Sequence, residues 1–126
     1  MQVIETKKAP AAIGPYSQAI VIGNVIHTSG QIPINPSTGN IEASEITGQA
    51  EQVIQNLKAV LEEAGSSLEN VVKTTCFLND INDFAAFNEV YAKHFIGKPA
   101  RSCVEVAALP KGALVEIEVI AVINKD

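Results

Sequence analysis

The stretch PARSCVEVAALPKGALVEIEVIAVI, residues 99–123, constrains the fold more than any other part of the chain. Two runs rich in β-branched residues flank a Pro-Lys-Gly turn at residues 110–112, which supplies one fixed φ and one glycine able to adopt positive φ. The pattern predicts two β-strands that pair as a hairpin. In the second strand the two-residue period places the apolar side chains from Val115 onward on one face, and Glu116 and Glu118 on the other.

The charged residues within these strands admit two interpretations. In the first strand Arg101, Cys103 and Glu105 share one face. They could belong to a solvated edge, where arginine and glutamate side chains support each other across the strands. They could equally belong to a functional site, and strand chemistry alone does not decide between the two.

The preceding sequence predicts the remaining elements. QVIET is a short strand, and SQAIVIGNVIHTSG reads as two strands joined by a primed two-residue turn at Gly23-Asn24. Turn-forming residues break the pattern over residues 31–44, which predicts a loop. Apolar residues then recur at three- and four-residue steps from Ile46 to Ala64. This spacing is typical of an amphipathic helix, with Ser44 as its N-cap and Gly65 as its C′ residue.

NVVKTTCFL predicts the next strand, and a second apolar period from Phe84 to Phe95 predicts a second helix. Asp80 or Asn82 would open this helix, and Gly97 would close it before Pro99. The order is therefore β-β-β-α-β-α-β-β. Two helices can cover only one face of about six strands, so we expect an α+β fold whose other sheet face meets neighbouring subunits.

Composition supports one domain over residues 1–126 and an oligomer. The chain is 47% hydrophobic and only 18% charged, against roughly 25% charged in an average soluble domain. The apolar surplus is most simply buried between subunits. No apolar run approaches the length of about 18 residues that a membrane span requires, and the first ten residues lack the apolar core of a signal peptide. We therefore expect a cytoplasmic protein.

Charge and cysteine usage argue against a nucleic-acid-binding protein and against a metalloprotein. The net charge is −5 and the nine Lys and Arg residues form no cluster, so no nucleic acid partner is expected. Cys76 and Cys103 have neither CxxC spacing nor neighbouring ligands, which predicts no metal site. Both should be reduced thiols, with Cys76 buried in its strand. His27 and His94 are isolated, and structural roles are favoured for both.

Three residues lie where strands begin or end, which is where a rigid sheet can present groups to a ligand. Tyr16 follows Gly14-Pro15 at the start of a strand, and Ser29 and Gly30 follow HT at the end of one. A lone tyrosine after a proline is more often packing than chemistry. Together with the strand arginine, however, these positions resemble a constellation.

Five segments together closely resemble the reactive intermediate deaminase family, also called the YjgF or UK114 family. They are IGPYSQAI, TSGQIP, VVKTTCFL, NDFAAFNEVYAKHF and PARSCVEVAALPKGALVEIE. The resemblance extends along essentially the whole chain. It implies a chorismate-mutase-like fold, a homotrimer with a central β-barrel and outer helices, and ligand clefts between subunits. The implied activity is hydrolysis of enamines and imines, released by pyridoxal-phosphate enzymes acting on serine or threonine, to 2-oxo acids and ammonia.

The resemblance also implies roles for individual residues. Arg101 corresponds to the family's carboxylate clamp and Glu116 to its acidic residue, so both are catalytic candidates. The implied substrate-binding residues also include Tyr16, Ser29, Gly30, Asn88 and Cys103. A guanidinium fork matches a planar carboxylate, and Glu116 could transfer protons during hydrolysis. No cofactor is called for. Cys103 can be read as a nucleophile, but no base is near it in sequence, so a positioning role is favoured.

The expected hairpin makes a geometric prediction. If the chain turns at residues 110–112, Glu116 lies opposite roughly residue 106, and Arg101 lies about 17 Å further along the strand. The two residues would then share a small substrate only if another subunit contributed one of them. Two other readings stay open: a module that binds 2-oxo acids without turnover, and a ribonuclease-like or chaperone-like protein.

Overall fold

Six strands and two α-helices follow one another in the predicted order in the computed structural model, which describes residues 1–123. The strands are β1 (Gln2–Ile4), β2 (Ala19–Ile22), β3 (Val25–Thr28), β4 (Val71–Leu78), β5 (Ala100–Glu105) and β6 (Val115–Val122), and the helices are α1 (Ile46–Glu63) and α2 (Phe84–His94). The strands form one mixed sheet in the order β1-β2-β3-β6-β4-β5. The predicted α+β class and the strand and helix counts are confirmed.

The predicted hairpin between the last two strands is wrong. β5 and β6 run in opposite directions, as in a hairpin, but β4 lies between them and pairs with both. The connecting segment passes over the end of β4, where the Val106 N–H donates to the Leu78 carbonyl and the Asn79 N–H donates to the Leu114 carbonyl. Gly112 has the expected positive φ of 68°. The predicted positive φ of the turn glycine is therefore confirmed, whereas the predicted strand partner is wrong.

The predicted turn at Gly23 and the predicted end of α1 are confirmed, whereas the residues predicted for the other helix ends are not. Gly23 has φ 61° between β2 and β3, as a primed turn with glycine at its first central position requires. Gly65 has φ 85° after α1, and the Ser66 N–H donates to the Leu61 carbonyl to close the helix. Ser44 is not the N-cap, because α1 begins after Glu45, which makes no side-chain capping bond.

The predicted ends of the second helix are also wrong. α2 begins after Asp83, and the Asp80 side chain instead accepts a hydrogen bond from the Asn82 N–H in the 3₁₀ turn before the helix. The helix ends at His94, and the positive φ that follows it lies at Lys98 rather than at Gly97.

Both helices cover one face of the sheet. α1 packs against β6 and α2, and alternate residues of β4 and β6 on this face are almost fully buried. The opposite face, which we call the open face, carries the intervening residues, among them the exposed Glu118 and Val104. Neither helix of the described part is long and apolar enough to cross a bilayer.

Candidate active site

Arg101 lies on the helix-covered face of the sheet, on the edge strand β5. The parallel register pairs it with Thr74 of β4, a residue that is fully buried beneath the helices. Its Nη1 donates a 2.7 Å hydrogen bond to Oδ1 of Asn88 on α2. The predicted substrate-binding residue Asn88 therefore contacts the predicted clamp directly.

Two aromatic rings of α2 border the same guanidinium. Its Cζ lies 4.7 Å from the ring centroid of Tyr91 and 5.4 Å from that of Phe84. The Tyr91 hydroxyl and Thr74 Oγ1 form a 2.8 Å hydrogen bond, and burial raises the pKa of Tyr91. The apolar period from Phe84 to Phe95 predicts a helix but no role for either ring at the site. Their spacing with Asn88, by four and then three residues, places all three side chains on one helix face and was the available signal.

These residues open onto a groove between α2 and the start of β5. Its wall is apolar where Ala92, Phe95, Ile96 and Pro99 line it, and Lys98 stands with Arg101 as its second cation. No carboxylate lines it within the described chain. The groove can therefore receive a small anion with an apolar body.

Cys103 lies two residues beyond Arg101 and is half-buried. It pairs directly with Cys76 across β4 and β5. Burial raises the pKa of the Cys103 thiol, and the positive charge of Arg101 only partly opposes this. Burial raises the pKa of Cys76 to about 12, in agreement with its predicted place in the core. Both thiols are therefore protonated near neutral pH, which disfavours nucleophilic chemistry at Cys103.

Glu116 lies on the open face, where it meets Gly30. A β-carbon placed on Gly30 would overlap the Glu116 carboxylate in its present position, so glycine at position 30 lets this carboxyl lie directly against the backbone. Burial raises the pKa of Glu116, and the nearby charge of Glu118 raises it further. A half-buried carboxyl with a raised pKa is suited to accepting and returning protons.

Tyr16 and Ser29 line the same open-face pocket as Glu116. Tyr16 is 53% exposed, and it follows Gly14, whose φ of 138° favours glycine. The Ser29 hydroxyl donates a 2.6 Å hydrogen bond to the Ser17 carbonyl. Because its single hydroxyl hydrogen is used there, Ser29 holds the chain beside Tyr16 and can only accept a hydrogen bond from a ligand.

The predicted site residues thus form two groups on opposite faces of the sheet. Arg101 pairs with Thr74, and Glu116 pairs with Phe77. Thr74 and Phe77 are three residues apart on β4, so their side chains point to opposite faces. We call Arg101 with Asn88 and Cys103 the clamp group, and Glu116 with Tyr16, Ser29 and Gly30 the carboxylate group. One chain alone cannot bring the two groups to one small molecule.

Glu105, Glu118 and the two histidines lie outside both groups. Glu105 Oε1 accepts a 2.8 Å hydrogen bond from the Ile81 N–H before α2, and Glu118 is exposed. His94 contacts Glu51 of α1, whereas His27 is exposed on the open face. Within residues 1–123 no three His, Cys, Asp or Glu side chains are grouped as metal ligands would be.

The chain thus combines a mixed α+β sheet with an arginine groove on one face and a carboxylate pocket on the other. The chain belongs to the family described as Endoribonuclease L-PSP, whose profile matches residues 6–123. That family is the one named above as the YjgF or UK114 family, so the resemblance seen in the sequence is confirmed.

Relatives with several names match over nearly the whole chain. A RutC family protein of Pyrococcus abyssi is 58% identical over 121 residues, which cover 95% of each chain. The 2-iminobutanoate/2-iminopropanoate deaminase of Escherichia coli K12 is 52% identical over 125 residues, which cover 96% of this chain and 97% of the relative. The crystal structure of E. coli TdcF with bound serine superposes with a TM-score of 0.93 at 47% identity, over 98% of this chain and all of the other.

Proposed function

We propose that this protein hydrolyses reactive enamine and imine intermediates to 2-oxo acids and ammonia. Its substrates are 2-aminoacrylate with its tautomer 2-iminopropanoate, and 2-aminocrotonate with its tautomer 2-iminobutanoate. The observation that carries the proposal is the chemistry of the two groups: a guanidinium fork held in an apolar groove, and a half-buried carboxyl with a raised pKa. The deaminase of E. coli, 52% identical over nearly the full length, supports the same activity.

Arg101 binds the substrate carboxylate in this proposal. A guanidinium offers five N–H donors in a plane, and two of them match the two oxygens of a carboxylate. Asn88 accepts from Nη1, so the donors of Nε and Nη2 remain for the substrate. The clamp orients the C=N carbon beside the carboxylate, because both lie in one conjugated plane.

Glu116 transfers the protons. It takes a proton from water as the oxygen attacks the C=N carbon and passes that proton to the nitrogen, which gives a carbinolamine. It then takes the hydroxyl proton and passes it to the amine, so that the C–N bond breaks, ammonia leaves and the C=O bond forms. One imine and one water thus give one 2-oxo acid and one ammonia. A raised pKa places the carboxyl nearer neutral pH, where both its protonation states are accessible during a cycle.

Both groups act on one substrate only when two chains meet. We propose a homotrimer in which the clamp group of one subunit faces the carboxylate group of the next, with the open faces turned inward around a central barrel. The apolar surplus of the sequence and the exposed Val3, Ile22 and Val104 support burial of this surface between subunits. We further propose a cytoplasmic location and no cofactor.

Freshly generated 2-aminoacrylate tests the activity directly. We expect ammonia and pyruvate to appear faster with the protein than by spontaneous hydrolysis in matched buffer. A protein that binds pyruvate or 2-oxobutanoate without accelerating the reaction would instead be a metabolite-binding module.

The family description also names an endoribonuclease, so a labelled RNA belongs in the same experiment. The net charge of −5 counts against phosphate-backbone binding. RNA cleavage that is lost in a catalytically inactive variant, with no imine turnover, would replace the deaminase proposal.

A further inference from the structure

We propose that Tyr91 is a positioning residue that holds the Arg101 fork in its carboxylate-binding orientation. This inference rests on the proposed function and assigns a role to a residue outside the two predicted site groups. Arg101 belongs to the edge strand β5, and a long side chain at a sheet edge has many rotamers. Neighbouring groups must restrict these rotamers in the free protein, because otherwise substrate binding would have to offset a large loss of side-chain entropy.

Tyr91 provides that restriction through its ring. The guanidinium carbon of Arg101 lies 4.7 Å from the Tyr91 ring centroid, within the range at which a cation is attracted to an aromatic face. Phe84 is further away, at 5.4 Å. Asn88 fixes the fork at Nη1, so the ring and the amide constrain the same group from two sides.

The ring itself is anchored from behind. Tyr91 is 92% buried by its relative exposure of 8%, and its hydroxyl bonds to Oγ1 of the fully buried Thr74 at 2.8 Å. Phe95 stacks on the Tyr91 ring at a centroid distance of 4.4 Å. The buried strand therefore contacts Tyr91, Tyr91 contacts Arg101, and Arg101 faces the groove. Tyr91 transmits the rigidity of the core to a charged group at the surface.

The chain offers matched variants that separate this role from simple packing. Tyr91→Leu removes the ring from Arg101, whereas Tyr91→Phe keeps the ring and loses only the bond to Thr74. Phe87→Leu is the control, because Phe87 is a fully buried aromatic of the same helix that lies against Tyr91 and does not line the groove.

The measurements are the dissociation constant for 2-oxobutanoate, the split between KM and kcat with 2-aminoacrylate, and Tm. For Tyr91→Leu we expect the dissociation constant and KM to rise about 3- to 30-fold, the range of a partly desolvated cation–π contact, with a smaller change in kcat. Tyr91→Phe should raise both constants less than Tyr91→Leu does, because the ring stays beside Arg101 and only its anchor to Thr74 is lost. Phe87→Leu should lower Tm while both constants stay near their wild-type values.

Equal affinities in wild type and Tyr91→Leu would overturn the positioning role while leaving the proposed reaction intact. Equal losses of affinity in Tyr91→Leu and Phe87→Leu would also overturn it, because the effect would then follow general packing. A wild-type protein that neither binds 2-oxobutanoate nor turns over the imine would remove the proposed function and this inference together.

Discussion

The clamp group and the carboxylate group differ in how completely one chain builds them. Arg101 is hydrogen-bonded to Asn88 and lies near two rings of the same helix. Glu116 rests against Gly30 on the open face, beside the exposed Tyr16 and Glu118. All the described contacts of the clamp group come from one chain. The carboxylate group lies on an exposed surface that another chain could cover.

In the proposed reaction this difference separates two tasks. Recognition of a carboxylate needs a fixed fork, and a helix packed on a strand supplies one. Proton transfer needs a substrate held against Glu116, and one chain cannot supply that because the two groups face opposite sides of its sheet. Binding should therefore depend on the clamp group, and turnover on the contact between subunits.

The largest expected effect comes from Glu116→Gln, which keeps the size and hydrogen-bonding capacity of the side chain but cannot accept a proton. We expect kcat to fall roughly 10²- to 10⁴-fold. The dissociation constant for 2-oxobutanoate should change little, because the clamp group is untouched. Steady-state kinetics with 2-aminoacrylate and calorimetric titration measure the two quantities, and a parallel loss of binding would contradict the division of tasks.

Thermal unfolding of the same variant checks the raised pKa. Because the folded chain holds the Glu116 proton more tightly than the unfolded chain, ionisation above the raised pKa lowers stability, and this cost disappears below the ordinary carboxyl pKa of about 4.3. Glu116→Gln should therefore melt above wild type at pH 7, and the difference should close as the pH falls toward 4. A Tm difference independent of pH would show that ionisation is not involved.

Arg101→Lys tests the clamp group with the charge preserved. The variant loses the planar fork, and one charge-assisted bond of about 1.5 to 3 kcal/mol corresponds to roughly a 10- to 150-fold fall in kcat/KM. Unlike Glu116→Gln, it should also weaken 2-oxobutanoate binding. Wild-type affinity in Arg101→Lys would mean that the carboxylate binds elsewhere.

Mixed assemblies test whether the two groups meet across subunits. In randomly exchanged oligomers of Arg101→Ala and Glu116→Gln, about a quarter of the interfaces receive an intact Arg101 from one chain and an intact Glu116 from the other. We expect activity to recover toward that fraction of wild type, measured after subunit exchange, with each variant exchanged against itself as the control. Sedimentation should show trimers throughout, and mixed trimers as inactive as their parents would refute a shared site.

Cys103→Ala should have the smallest effect. Burial raises the pKa of this thiol, so a thiolate nucleophile is disfavoured, and we expect kcat/KM to stay within about tenfold of wild type. Mass spectrometry after reaction with 2-aminoacrylate provides the check. A covalent adduct on the Cys103 sulfur, with activity abolished in the variant, would assign it the nucleophilic role instead.

Turns and the existence of each element were predictable, whereas the exact helix ends and one long-range pairing were not. Gly23, Gly65 and Gly112 marked turns and a helix end because positive φ favours glycine. The hairpin prediction failed because adjacency along the chain favours pairing but does not determine it. The residues between β5 and β6 are numerous enough to pass over the end of another strand, and no local pattern reveals that β4 occupies the space.

The same limit applies to the candidate site. The resemblance supplied Arg101, Glu116 and Asn88, and alternation showed that Arg101 and Cys103 share a face. The contact between Arg101 and Tyr91 depends on how α2 lies over β5, which periodicity does not specify. The separation of Arg101 from Glu116 was predicted from an incorrect register; the observed cause is that the two side chains point to opposite faces.

The position of β6 has a consequence for how the chain acquires its fold. β6 is the last strand along the described chain, yet it lies in the middle of the sheet, between β3 and β4. The β1-β2-β3 ribbon and the β4-α2-β5 unit are therefore joined in the sheet only through the segment that leaves the ribosome last among the six. Because such distant contacts form slowly, the nascent chain should hold two separate halves until synthesis passes Val122, with the edges of β3 and β4 unpaired in the interval.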